Sequence, residues 1–512
     1  MNANKNRILN ALLVSAFFLV ASTGFTQSYL ELLPGSERAT RQPHLNATSL
    51  AGNVVFTYQG NTMYCDSALY YDKTNKVRAF GNVHITKPGG LNLFCDYLSY
   101  DGNTETAFLS GNVRARDQEY KLTTKALEYD TKAGRATYRT GGKIQSIAGN
   151  ETITSRVGYF YPDTKDFFFK GSVDYRGPDL KMTTDTLQYS YIRRKVNFFG
   201  PTTIYSDSTV ITCSKGWYRT DTEEGELINN ATVTRGSQLI KGDTLYYQPQ
   251  KEMVIGKGNV YVEDSTEKFQ FQGDYLYKND LEKRTFLTGH ALAVKADKKD
   301  SLFLHADTLI TIGDSIDETS RIMAHNGVKI FQNKLQGQCD SLIYDKNKDV
   351  LEMYNSPILW ANKGELKGDT ILVFLNDSTV ERAEIFENAS ALFLVDTVGY
   401  FNQIAGRKII AWMKENEVTR ADAQGNAQTV YYIEQADEND SNITITRSGM
   451  NRLYASDLRV YLDSGEVVSI TYFDRPEGVF YPMNKIKKEE QYIRGFRWNE
   501  GLRPKSWVEI LE

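Results

Sequence analysis

Apolar and polar residues alternate over long stretches of this chain. Around Gly81 the positions Val77, Ala79, Gly81, Val83 and Ile85 are apolar or small, with mostly polar residues between them. Ala107, Leu109, Gly111, Val113 and Ala115 repeat the pattern, as do Val254, Gly256, Gly258, Val260 and Val262. Period-two alternation over nine residues predicts a long β-strand with one apolar face. Each of these strands carries a Gly-Asn-Val step with its glycine on the apolar face. A mid-strand position without a side chain predicts a bend or a close backbone approach.

A second kind of strand lies between the first. In it an aspartate is preceded by apolar residues three and one positions back, Leu93 and Cys95 before Asp96. It is followed by apolar residues two and four ahead, Leu98 and Tyr100. The apolar phase slips by one residue at the aspartate. Such a slip turns every following side chain to the wrong face, so a bulge or corner is expected there, with the aspartate outward. Aligned on Asp96, and with Ser67 in the first copy, the series runs through Lys125, Arg156, Asp185, Lys215, Asp243, Asp274, Asp307, Asp340, Asp369, Arg407 and Asp457. The first ten intervals are 28 to 33 residues; the last two hold insertions, including a polar loop at Glu434–Asn442. Repetition at this period means one two-strand unit stacked about 13 times. The expected fold is all-β: an elongated, open, V-shaped roll of two sheets around an apolar groove. The groove-lining residues after the glycine are expected to be Val83, Ile85, Val113, Val173, Val260 and Val262. Those after the aspartate position are Leu98, Leu127, Leu187, Leu245, Leu276, Leu309 and Leu342.

Composition agrees with an all-β chain. Aromatics make up 12% and only 11 prolines interrupt 512 residues, which favours strands and spares ladder donors. Sixty basic against 64 acidic residues leave a net charge of −4, so nothing in the overall balance attracts nucleic acid. At the N-terminus Lys5 and Arg7 precede an apolar run, Ile8 to Ala21, and then Ser22, Thr23 and Gly24. That order predicts a secretory signal peptide over residues 1–27, the run being shorter than the ~20 residues of a membrane-spanning helix. Expected organisation is then a leader over 28–51, core repeats over 52–379, degenerate repeats with insertions over 380–480, and a basic, aromatic cap or tail over 481–512. The four cysteines (Cys65, Cys95, Cys213, Cys339) are spread singly and read as buried thiols. Five scattered histidines show no metal-ligand spacing, and no phosphate loop or nucleophile motif occurs. No cofactor and no catalysis are expected.

Repeated GNV…(C/G)DxLxYD units behind a signal peptide resemble the OstA-like, LptA-type family of lipopolysaccharide-transport proteins. The resemblance covers Gly52 to Thr379, with weaker copies to Asp463. It implies a β-jellyroll whose apolar groove shields the acyl chains of lipopolysaccharide in the periplasm. It also implies partners among the other transport components, joined by end-to-end strand pairing, with association at the outer membrane and self-association as further expectations. The array is longer than a minimal bridge protein of that family, and no barrel domain of translocon size follows it. A structural β-solenoid scaffold of the envelope, with a filled interior, is the alternative reading.

Overall fold

The computed structural model describes residues 30–512 apart from 148–150, 162, 267, 297–299, 314–318, 377–378, 397–398, 415–416, 440–441 and 464–465. The expected signal peptide lies outside the described residues. Strands and single 3-10 turns are the only regular elements among the described residues. The chain divides into two units, Met1–Pro178 and Asp179–Glu512.

In the first unit, strands such as Lys76–Thr86, Asn92–Asp101, Thr106–Arg116 and Tyr120–Asp130 follow one another as antiparallel hairpins. Their burial follows the predicted phase. Val77, Ala79 and Val83 are buried while Arg78, Phe80 and Asn82 are exposed; Leu93, Cys95, Leu98 and Tyr100 are buried and Asp96 is exposed. The slip is a bulge, for Phe94 pairs with Arg114 and Tyr97 with Ser110, leaving two residues opposite three. Between Tyr138 and Gly142 the strand breaks in two. Strand Tyr120–Asp130 pairs with Gly142–Ser146 before its bend and with Arg135–Tyr138 after it. The corner line therefore divides the sheet into two leaves. The first leaf carries the turns at Gln59–Gly60, Lys87–Leu91 and Asp117–Glu119. The second carries those at Asp72–Asn75, Gly102–Glu105 and Thr131–Gly134.

The glycine and aspartate signatures turn out to be one corner. Gly111 and Asn112 both have positive φ, 76° and 47°, and the Asn112 amide donates to the Asp96 carboxylate of the preceding strand at 2.8 Å. Asn82 with Asp66 and Asn259 with Asp243 repeat the bond at 2.9 Å. The glycine's missing side chain thus makes room for the exposed carboxylate, not for the interior as its place in the alternation suggests. This also corrects the alignment. Tyr64–His84 and Ser67–Phe80 flank Asp66 as the pairs above flank Asp96, so Asp66, not Ser67, holds the first corner. By the same registers Ser214 replaces Lys215 and Ser456 replaces Asp457.

The second unit continues the two strand types from Leu180–Ser190 onward. Of the polar stretch Glu434–Asn442, residues 434–439 and 442 are strand and not loop. Strands Glu417–Asn439 and Asn442–Asp463 stay paired to Asn439–Asn442, because the returning Ile443-Thr444-Ile445-Thr446 has strong strand propensity. Past Pro482 the chain forms no strand. It runs back over the outer side of the sheet, where Ile493 packs with Leu392, Val430 and Met450, and Ile510 with Leu292, Val294 and Phe331. Strands beneath it are buried on both faces: Ala291, Leu292, Ala293 and Val294 are all buried. Three buried polar side chains read this segment. Gln403 accepts from the Ile493 amide at 3.0 Å, Glu365 from the Asn499 amide at 2.8 Å, and Gln336 from Arg503 Nε at 2.8 Å.

Candidate functional site

The inward faces of the two leaves meet in the first unit around two apolar cavities. The larger, about 70 Å³, is lined by Phe56, Met63, Ile85, Leu93, Leu98 and Leu109, with Tyr58, Lys87, Tyr100 and Tyr129 toward the leaf rims. The smaller, about 30 Å³, is lined by Leu122, Leu127, Ile144, Phe160 and Phe167 among others. Leu93 and Tyr129 line both, so the two abut. Both are smaller than the ~150 Å³ of an apolar cavity that binds benzene.

Each rim side chain comes from a strand end. Tyr58 closes its first-leaf strand and Lys87 opens a first-leaf turn, whereas Tyr100 and Tyr129 lie next to second-leaf turns. They meet across the mouth. The Tyr58 and Tyr100 rings stand 5.3 Å apart. Lys87 Nζ donates to the Tyr129 hydroxyl at 2.6 Å and sits 4.9 Å from its ring centroid. A third contact, an ion pair between Lys165 and Glu119, joins the next pair of turns, with both side chains 34% exposed. Each is individually weak: cation–π contacts at partly exposed sites give ~0.5–1 kcal/mol, and exposed ion pairs about the same or less. Burial pushes the Tyr100 phenol well above its ordinary pKa, so it stays protonated at the mouth.

Of the residues expected to line a groove, Ile85 and Leu98 border the larger cavity and Leu127 the smaller. Val83, Val113 and Val173 sit at the corners, each 1% exposed. In the second unit Leu187, Leu245, Val260, Leu276, Leu309 and Leu342 are buried at 2% or less, and Val262 at 7%. Alternation finds the spine of the fold but passes over the rim. Tyr58, Lys87, Glu119 and Lys165 stand at strand ends and turns, where periodicity stops. Only the tyrosine four residues after Asp96 carried a signal. Among the described residues no group of His, Cys, Asp and Glu is placed to hold a metal ion.

A bent antiparallel roll with an apolar interior defines the class of protein. Residues 34–185 match the family described as OstA-like protein, and residues 270–379 the family described as LptA/(LptD N-terminal domain) LPS transport protein. The chain belongs to this OstA/LptA-type family of lipopolysaccharide-transport proteins. Among solved structures it is similar to LptH of Pseudomonas aeruginosa, described as the LptA homologous periplasmic component of the conserved lipopolysaccharide transport device. Identity is 14%, the match covers 21% of this chain and 75% of that one, and the TM-score is 0.19. No curated protein matches the chain.

Proposed function

We propose that this protein is a non-catalytic periplasmic carrier or bridge that takes lipopolysaccharide acyl chains between the two leaves of its roll. The observation that carries the reading is the carbon-lined interior of the first unit, spanned on its open side by side-chain contacts between rims. A sheet seals the corner side; Tyr58–Tyr100, Lys87–Tyr129, Tyr120–Phe167 and Glu119–Lys165 are among the contacts that span the other. Acyl chains moving into such an interior gain ~0.8 kcal/mol per buried methylene, several times the worth of one rim contact over a chain's length. Ile85, Leu98 and Leu127 are the proposed first contacts. Family membership supports the substrate, the periplasmic location and the absence of catalysis.

Partners follow from the sheet's ends. Strand Arg38–Gln42 pairs only with Ala47–Tyr58, and Glu466–Phe473 and Glu477–Pro482 pair only with Asn442–Asp463 among the described strands. Their free edges suit strand addition by other transport components. A photocrosslinking residue at Ile85 or Leu98 is expected to capture lipopolysaccharide in cells, while one at exposed Arg78 captures none. The small cavity volume favours a second reading, a filled structural scaffold. It predicts no capture at any interior position and normal lipopolysaccharide display after the protein is depleted.

A further inference from the structure

We propose that the mouth of the first unit is a gate opened by an anionic headgroup. A phosphate-bearing amphiphile draws the Lys87 ammonium from Tyr129 and the Lys165 ammonium from Glu119, and its acyl chains then pass between the parted rims. The inference rests on the acyl-chain reading above and adds to it the residues that meet the head and the order of events.

Three observations carry it. First, the rim contacts recur along the unit: Tyr58 with Tyr100, Lys87 with Tyr129, Glu119 with Lys165. Each joins a first-leaf strand end or turn to a second-leaf one, and so stands across the route into the interior. Second, the larger cavity beneath them is about 70 Å³, about half the ~150 Å³ of an apolar cavity that binds benzene. Entry therefore requires opening. Third, the larger cavity's walls are mostly carbon, and its one cationic lining side chain, Lys87, is at the mouth. A chain lying inside brings its headgroup to that level.

Lys87 is the more exchangeable of the two cations. Its acceptor is a neutral phenol, whereas phosphate offers charged oxygens, and charge-assisted bonds are roughly twice as strong. Lys165 already holds a carboxylate, so its exchange is nearer to even. Both sit on a mouth that also presents the Tyr58 and Tyr129 hydroxyls. The order is head first and chains second: the head releases the rim contacts, and burial of the chains holds the rims apart.

The test uses the full chain with three probes: diphosphorylated lipid A, the same lipid stripped of phosphate, and inorganic phosphate. Wild type is expected to prefer the phosphorylated lipid. Lys87→Met keeps the stem but removes the charge, and is expected to lose that preference while still binding the stripped lipid. Tyr129→Phe keeps the ring but removes the acceptor, and is expected to bind the phosphorylated lipid more tightly than wild type. Two changes of opposite sign separate a gate from a merely stabilising contact, whose loss weakens both lipids alike. A preference unchanged in Lys87→Met, weaker binding in Tyr129→Phe, or inorganic phosphate competing as well as the lipid overturns the gate. Wild type that binds both lipids equally also overturns it and leaves the acyl-chain reading standing; wild type that binds neither overturns that reading itself.

Discussion

Asn112 donates its side-chain amide to the carboxylate of Asp96, 16 residues earlier on the neighbouring strand, at 2.8 Å. Both residues are exposed, and both lie on the line where the sheet folds. Asn112 and Gly111 take up positive φ, which asparagine and glycine tolerate best. The bond ties that backbone geometry to the strand before it. Because the same contact recurs at Asp66–Asn82 and Asp243–Asn259, successive corners stay in line and the apolar faces of successive strands stay turned inward.

The corner can be tested by a double-mutant cycle. A Cβ on Gly111 would lie 2.6 Å from the Asp96 Oδ2 at a φ of 76°. Gly111→Ala should therefore cost about 1–3 kcal/mol through steric and backbone strain. Asp96→Ala removes an exposed hydrogen bond and should cost about 1 kcal/mol. In the double variant the clash is gone, so the combined cost should fall below the sum. Hydrogen exchange of the Thr106–Arg116 amides measures this locally. Strict additivity would mean that the two side chains do not meet.

How far the chain was legible before its structure follows from the same corner. Alternation around Gly81, Gly111 and Gly258 marked the strands and their inward faces, and the phase slip at Asp96 marked a bulge with the aspartate outward. Alternation reports on one strand at a time, however. It could not say that Gly111 and Asp96 belong to a single contact, and it misplaced the first corner at Ser67 because Leu69 is one position later than Leu98 requires. The pair Cys65-Asp66, matching Cys95-Asp96, was the better guide. The rim contacts were illegible because they join residues 42 and 46 positions apart at strand ends. The outer covering by residues 483–512 did leave a trace. Ala291-Leu292-Ala293-Val294 and Ile358-Leu359-Trp360 do not alternate, as expected of strands buried on both faces.

The cysteines should be inert in the folded protein. All four are free and buried, and burial pushes Cys65 up to about 11 and Cys95, Cys213 and Cys339 up to about 12. Thiolate, the reactive form, is then scarce at pH 8. Iodoacetamide at pH 8 is expected to label the native protein very slowly and all four thiols after denaturation. The raised values also set a direction for stability. It is undiminished below the unfolded thiol pKa of ~8.5 and falls as pH rises toward 11–12, where only the unfolded chain ionises. Fast native labelling at pH 8 would contradict the burial.

The C-terminal segment should behave as part of the second unit's core. Ile510 is fully buried against Leu292, Val294 and Phe331, and Glu365 is fully buried beneath Asn499. Ile510→Asp forces a charge into that contact and should cost about 3 kcal/mol or more. Asn499→Asp places a second carboxylate opposite Glu365, whose Oε1 now accepts from Asn499 Nδ2 at 2.7 Å. Both variants should release the segment, expose apolar strand faces and raise fluorescence of a surface-hydrophobicity dye. Unchanged dye binding and unchanged proteolysis of residues 483–512 would show the segment to be dispensable.

Asp422 supplies a pH-dependent prediction. Its carboxylate, 6% exposed, accepts from Arg459 Nε at 2.8 Å and Nη2 at 3.0 Å, and from Arg420 Nε at 3.0 Å. Burial alone would raise its pKa, but the two guanidiniums outweigh burial and hold it below the usual carboxylate range. A depressed folded value means that the stabilisation is present above the unfolded pKa of ~3.9 and is lost as pH falls through the folded one. Removing one member of a buried ion network costs ~3–5 kcal/mol; with both arginines about a third exposed, about 2–3 kcal/mol is expected for Asp422→Asn at pH 7. The variant cannot titrate there, so the gap between it and wild type should close progressively below about pH 4. Hydrogen exchange of the amides of Arg420 to Gln424, compared at pH 7 and pH 3.5, reads the difference. A gap that stays constant over that interval would assign the cost of the substitution to packing instead of charge.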